Sequence, residues 1–286
     1  MPLLGSHLSV AGAFTNAVDE ARRLGCRALQ VFTKAPSQWR GRPIGDEEAR
    51  AFRQAVKAAG IKRTMAHDSY LINIASPEPG LYRQSIEALF LELQRAELLG
   101  INYLVMHPGA HLCAGETDAL ARVVTALDEI HERTAGFKIR ILIENTAGQG
   151  SCIGHRFEHL AAILRGVQEP RRLGVCLDTC HTFAAGYALT PLREYRRTFE
   201  EFDRVVGMKH VKAFHLNDSL KEFGSRVDRH AHIGQGKIGS AAFRYIVNDP
   251  QFAKLPMVLE TPKENNMDEV NLRLLRRMCR APRPSS

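Results

Sequence analysis

The stretch GVCLDTCH, residues 174–181, decides how the rest of the chain is read. Gly174 to Leu177 form a short apolar run that reads as a buried strand. That strand delivers Asp178 at its end and His181 three residues later, on the loop that follows. Taken alone, the octet is equally a capping aspartate and a surface histidine. The balance changes because the same event recurs along the chain.

Eight apolar runs are spread along the sequence, at residues 3–6, 28–32, 64–67, 103–107, 140–144, 174–178, 213–216 and 257–260. None alternates cleanly, which suits parallel strands covered on both faces. Helical stretches lie between them at 15–24, 46–59, 81–99, 117–135, 157–165, 240–248 and 268–278. Another helix is expected to begin with Thr190 as N-cap and Pro191 as its first residue. In the 81–99 segment Ile86, Leu89, Phe90 and Leu93 share one face, and Gly100 ends the pattern. Eight strand–helix units with no linker rich in Pro, Gly or Ser predict an α/β fold, the (β/α)8 TIM barrel. The expected extent is a single catalytic domain over 1–280, with a short basic tail at 281–286. A doubly wound open sheet is the competing arrangement. No G-x-G-x-x-G follows the first strand, and neither a P-loop nor a G-x-S-x-G elbow occurs.

The chain has 286 residues, 44% hydrophobic and 24% charged, as in globular proteins with a substantial core. No run of eighteen apolar residues would span a membrane. The N-terminal MPLLGSHLSV lacks the basic region and long apolar stretch of a signal peptide, so a cytoplasmic location is expected. Six cysteines without a C-x-x-C pair read as free thiols in a reducing compartment. A formal net charge of +8 favours polyanionic partners, nucleic acid first.

The strand ends carry the chemistry. The third ends at His67, the fourth at His107, the fifth at Glu144 and the sixth at Asp178; the seventh carries His215 and the eighth ends at Glu260. Each is therefore expected at the C-terminal mouth, where such barrels keep their active sites. A lone strand-end histidine is usually structural, but six histidines and carboxylates at consecutive ends are not six coincidences. Without a cation, grouped carboxylates would take up protons rather than stay ionised. Imidazole with carboxylate and no thiolate suits zinc, manganese or iron. His181 and the segment VDRHAH (227–232) add to the set, since Asp228 and His230 share a face in an extended loop. Nine candidate ligands suggest three metals. Three divalent ions bring six positive charges against Glu144, Asp178, Asp228 and Glu260, leaving about two for an anionic substrate such as a phosphodiester.

At these residues the chain closely resembles the endonuclease IV family of apurinic/apyrimidinic (AP) DNA-repair nucleases. The matching stretches are GSHLSVAGAF (5–14), FTK with QW (32–39), HDSYLIN (67–73), MHPGAH (106–111), IENTAGQGS (143–151), GVCLDTCHTFAAGY (174–187), HLNDS (215–219), FGSRVDRHAHIGQGKIG (223–239) and LETP (259–262). The resemblance implies a hydrolase of the deoxyribonuclease IV type on a TIM barrel with three Zn2+, one site open to Mn2+ or Fe2+. It places one ion with His67, His107 and Glu144, and a second with Glu144, Asp178, His215 and Glu260. The third would lie with His181, Asp228 and His230. It implies cleavage of double-stranded DNA 5′ to an abasic site, giving a 3′-hydroxyl and a 5′-deoxyribose phosphate, and trimming of blocked 3′ ends. Glu144 and Glu260 would act through a metal-bridging hydroxide, with no protein nucleophile. Tyr70 and Leu71 match residues that press into the duplex where the abasic nucleotide is flipped out. Gln38 and Trp39 are retained, but Ala35-Pro36-Ser37 stands where the family often has an arginine that enters the base stack. A monomer is expected, with no membrane partner.

Two other readings compete. A sugar isomerase or epimerase on the same barrel needs one metal, which Glu144, Asp178, His215 and Glu260 would hold, but it has no use for the other five ligands. A non-catalytic DNA- or metal-binding protein would close its sites rather than leave positions open.

Overall fold

The computed structural model describes residues 2–279, so the expected domain end at 280 and the tail at 281–286 lie outside the described residues. In chain order the strands are β1 (Leu3–His7), β2 (Ala28–Phe32), β3 (Arg63–His67), β4 (Tyr103–Met106), β5 (Arg140–Glu144), β6 (Leu173–Asp178), β7 (Val211–His215), β8 (Asp218–Ser219), β9 (His230–Ala231) and β10 (Pro256–Leu259). The short β8 and β9 pair with each other, antiparallel. The other eight close into a parallel barrel in the order β1-β10-β7-β6-β5-β4-β3-β2, which is the predicted fold. The helices are α1 (Phe14–Arg23), α2 (Asp46–Ala58), α3 (Pro79–Leu98), α4 (Glu116–Arg133), α5 (Phe157–Gly166), α6 (Thr179–Ala184), α7 (Leu192–Val205), α8 (Ser240–Asn248) and α9 (Met267–Met278).

The helices bury their apolar stripes against the outside of the barrel, with Phe52, Leu89, Leu127, Leu160, Phe202, Phe243 and Leu272 in one continuous core. Inside the barrel a smaller layer takes one residue from each of seven strands: Ala28, Met65, Val105, Leu142, Cys176, Ala213 and Val258. Side chains of a strand alternate with period two, so the next inward position lies two residues on. That step gives Gln30, His67, His107, Glu144, Asp178, His215 and Glu260. Six of the nine candidate ligands thus share one layer of a filled barrel with Gln30, immediately above its apolar floor, while His181, Asp228 and His230 come from segments beyond the barrel's strand ends. On β1 the same step runs from Gly5 to His7. Gly5 is required where it stands, because a Cβ there would lie 2.0 Å from the Ala28 carbonyl oxygen.

Two local expectations change. His181, expected on a loop, lies in α6, whose N-cap is Asp178 with its carboxylate accepting from the His181 N–H at 2.8 Å. Six residues are too few for a periodic signal, and the cap rather than an amphipathic stripe starts this helix. Pro191 is the N-cap of α7 rather than its first residue, the Thr190–Pro191 peptide is cis, and no side chain caps this end. All six cysteines are free thiols, as expected.

One buried group outside the mouth gives a pH test. His131 in α4 is 3% exposed, and neither ring nitrogen has a hydrogen-bond partner. Burial, reinforced by the Arg172 guanidinium, pushes its pKa down to about 4. Between that value and the ordinary histidine pKa near 6.5 the unfolded chain binds a proton that the folded chain does not, so this residue costs stability as pH falls through that window. The urea midpoint of the wild type is expected to drop more steeply from pH 7 to pH 4.5 than that of His131→Leu. Parallel curves would contradict this.

Candidate metal centre

Glu144 is the hub. It is fully buried, and its two oxygens divide four imidazoles between them. Oε2 lies 3.1 Å from His67 Nε2 and 3.3 Å from His107 Nε2. Oε1 lies 2.8 Å from His215 Nδ1 and 3.4 Å from His181 Nδ1. Glu260 closes the far side, with Oε2 3.2 Å from His215 Nδ1. The ligand atoms of His67, His107 and Glu144 fall within 4.8 Å of one another, and so do those of Glu144, Asp178, His215 and Glu260.

The third set forms around Asp228. Its Oδ2 is 3.0 Å from His181 Nε2 and its Oδ1 is 3.2 Å from His230 Nε2. The supporting loop is fixed from below. Asp218, fully buried, accepts from the backbone N–H groups of Ser219, Gly234 and Ile238 at 2.8–2.9 Å. The Arg226 N–H ties the loop to α6 through the Ala184 carbonyl. Asp178 also faces this set, 3.7 Å from His230 Nε2 and 4.0 Å from His181 Nδ1. It therefore borders two groups, and the centre is continuous.

The carboxylates and imidazoles of the cluster hold one another in their charged forms. Burial alone would raise the Glu144 and Glu260 carboxyls, but the imidazoles around them, His215 foremost, hold both well below the usual carboxylate range. Asp228 is likewise held low by His181 and His230 against its burial. Burial alone would lower the histidines; instead the carboxylates raise His67 to about 10 and His230 to about 9, and raise His181 and His215 as well.

Hydrogen-bond directions sharpen this into a fit. His67 Nδ1 donates to the Asp68 carbonyl at 3.0 Å, His181 Nδ1 to the Asn145 carbonyl at 2.9 Å and His230 Nδ1 to the Glu260 carbonyl at 3.1 Å. Each neutral ring then turns a bare nitrogen toward a carboxylate oxygen, a contact that needs a proton or a cation between the two atoms. His181 Nε2 and His230 Nε2 are buried and make no aligned hydrogen bond, despite their closeness to Asp228. The donor set fits divalent transition ions. A separate trio, Glu116, His155 and His159, lacks this arrangement: the Gly154 N–H donates to His159 Nδ1, so Nε2 carries the hydrogen and gives it to Glu116 at 3.2 Å.

Two cavities open beside the cluster. One, of about 830 Å³, is lined by residues including His7, Phe32, Glu260 and Lys263; the other, of about 530 Å³, by residues including His67, His107, His181 and Asp228. Tyr70 lines both and is 70% exposed. Leu71, Gln38 and Trp39 line neither. Trp39 packs beside α3, near Ala88 and Leu91.

Several supporting residues were not singled out from sequence. The Asn145 amide donates to Thr182 Oγ1, and its oxygen accepts from the Asp178 N–H at 2.8 Å. Asn217 donates to Asp178 Oδ2 at 2.5 Å and accepts from the Glu260 N–H at 2.8 Å, clamping two ligands together. His7 Nδ1 lies 3.3 Å from Glu260 Oε1. The two-residue step along each strand flags His7 and Gln30; nothing comparable marks the asparagines.

A family model described as a xylose isomerase-like TIM barrel matches residues 18–280, which defines the class. "Probable endonuclease 4" of Chloroflexus aurantiacus is 50% identical over 96% of this chain and 98% of that protein. The crystal structure of endonuclease IV from Thermus thermophilus superposes with a TM-score of 0.86 at 39% identity, covering 97% of this chain and 98% of that one. A D-tagatose 3-epimerase-like protein shares the fold alone, with a TM-score of 0.75 at 16% identity over 97% of both chains. The chain belongs to the endonuclease IV family of DNA-repair endonucleases.

Proposed function

We propose that the protein is an AP endonuclease that hydrolyses the phosphodiester bond 5′ to an abasic site in double-stranded DNA, leaving a 3′-hydroxyl and a 5′-deoxyribose phosphate, and that it also trims blocked 3′ ends. The observation that carries this reading is the convergence of nine ionisable side chains, among which His67, His181 and His230 turn bare imidazole nitrogens toward carboxylates. His67, His107 and Glu144 would hold one ion, Glu144, Asp178, His215 and Glu260 a second, and His181, Asp228 and His230 a third, zinc being the expected metal and manganese or iron an option at one site. Divalent ions there supply Lewis acidity toward the phosphoryl oxygens, a water of lowered pKa and charge to offset the leaving oxygen. The protein's own part is to hold the ligands in register and to present the duplex. Tyr70, standing between the cavities with Leu71 beside it, suits a wedge that occupies the place of a displaced nucleotide. Gln38 and Trp39 are farther from the mouth cavities, so their part in DNA binding rests on family resemblance. No helix among the described residues is long and apolar enough to cross a membrane.

A duplex with one tetrahydrofuran abasic analogue, labelled at its 5′ end, tests the activity. One labelled product ending in a 3′-hydroxyl immediately 5′ of the analogue is expected; cleavage on the 3′ side, or none, would refute the proposal. Tyr70→Ala is expected to raise KM for that duplex by roughly tenfold with a smaller effect on kcat, since unstacking energies are a few kcal/mol. An unchanged KM would remove Tyr70 from recognition. Binding should also weaken roughly a hundredfold between 50 and 200 mM salt through counterion release. A flat salt profile would mean that few phosphates are touched.

A further inference from the structure

Beside the candidate ligands, the layer holds Gln30 of β2, which is fully buried. Its amide end lies between two members of the cluster. One amide atom is 2.6 Å from Glu260 Oε1 and the other is 2.8 Å from His215 Nε2. An ionised carboxylate only accepts, so the atom facing Glu260 is the NH2 nitrogen. The atom facing His215 is then the carbonyl oxygen, which also only accepts, and His215 Nε2 must carry a hydrogen. Nδ1 of the neutral ring is left bare. It points at Glu144 Oε1, 2.8 Å away, and Glu260 Oε2, 3.2 Å away. The amide nitrogen also reaches His7 Nδ1 at 3.0 Å.

His67, His181 and His230 each give their outward hydrogen to a backbone carbonyl. For His215 the acceptor is a side chain, which evolution or mutation can remove. We infer that Gln30 is a positioning residue that fixes His215 as an Nδ1 ligand and, through the same amide, orients Glu260. One residue thereby controls two of the four groups in the set formed with Glu144 and Asp178. Partners that hold the far nitrogen of a metal-binding histidine typically govern affinity by about 10- to 100-fold.

The inference rests on reading the cluster as a metal site, so its test reads metal directly. Wild type and Gln30→Met, close in volume but without the polar amide, are stripped with chelator and titrated with zinc against a chromophoric competitor. One ion is expected to bind about 10- to 100-fold more weakly in the variant, the others within about threefold of wild type. In the zinc-loaded, 15N-histidine-labelled wild type, a slowly exchanging imidazole N–H is expected from His215. It should exchange rapidly in Gln30→Met and stay slow in Gln30→Glu, which keeps an acceptor facing the ring. Equal zinc affinity in wild type and Gln30→Met overturns the inference while leaving the metal reading intact. A wild type that binds no zinc overturns both. Should Gln30→Met fail to fold, Gln30→Glu decides: a retained slow N–H supports the assignment, and a lost one overturns it.

Discussion

Glu144→Gln is expected to abolish cleavage and to loosen the barrel mouth together. Among the described residues Glu144 is the one carboxylate in contact with four imidazoles, at 2.8–3.4 Å, and it belongs to two of the candidate ligand sets. Glutamine keeps the volume but turns an anion that only accepts into an amide with two hydrogens to place. At least one of the four rings then faces a donor, and the shared anionic ligand is gone. Breaking a buried charge constellation on one side costs about 3–5 kcal/mol. The thermal midpoint of the metal-loaded variant should fall accordingly, and its metal content should drop by at least one ion. The turnover number should fall by about 10²–10³-fold or more, the scale for losing one preorganised electrostatic group. A variant that keeps its full complement of metal and its activity would show that Glu144 is not shared between ions.

Glu260→Gln is expected to separate chemistry from binding. Glu260 lies at the rim of the cluster, lines the larger cavity, and contacts His215 at 3.2 Å, His7 at 3.3 Å and Gln30 at 2.6 Å. Its backbone N–H is held independently by Asn217, so the local fold does not depend on the carboxylate charge. Turnover should again fall by about 10²–10³-fold. The Kd for an abasic duplex should move by less than about threefold, because the loop carrying Tyr70 and Leu71 is untouched. Equal losses in rate and affinity would instead assign Glu260 a structural role.

The barrel and most of its centre were legible because both follow local rules. A period-two strand that ends in a ligand announces its layer, and repetition at one strand–helix unit announces the barrel. His67, Glu144, Asp178 and His215 are the last residues of their strands, and His107 and Glu260 follow theirs by one. Asp228 of VDRHAH lies 3.0 Å from His181 and 3.2 Å from His230, its neighbour in the segment. Less visible was anything set by contacts between distant segments. The helical setting of His181 depends on a cap contributed by Asp178, not on periodicity. The double allegiance of Asp178 depends on where a long loop returns. Gln30, Asn145 and Asn217 carry amides, which are common everywhere; only their partners give them meaning. Trp39 shows the converse, since a motif residue matched by order in the chain packs beside a helix and lines neither mouth cavity.

On the function proposed above, one continuous cluster of three ions serves phosphodiester hydrolysis on this barrel. Elemental analysis of protein purified without chelator, set beside the nicking assay on the same preparation, tests it most directly. About three transition-metal ions per chain, with cleavage lost on chelation and restored by zinc, is the expected result. One ion per chain and no nicking of the abasic duplex would contradict the account and favour the single-metal epimerase reading built on Glu144, Asp178, His215 and Glu260.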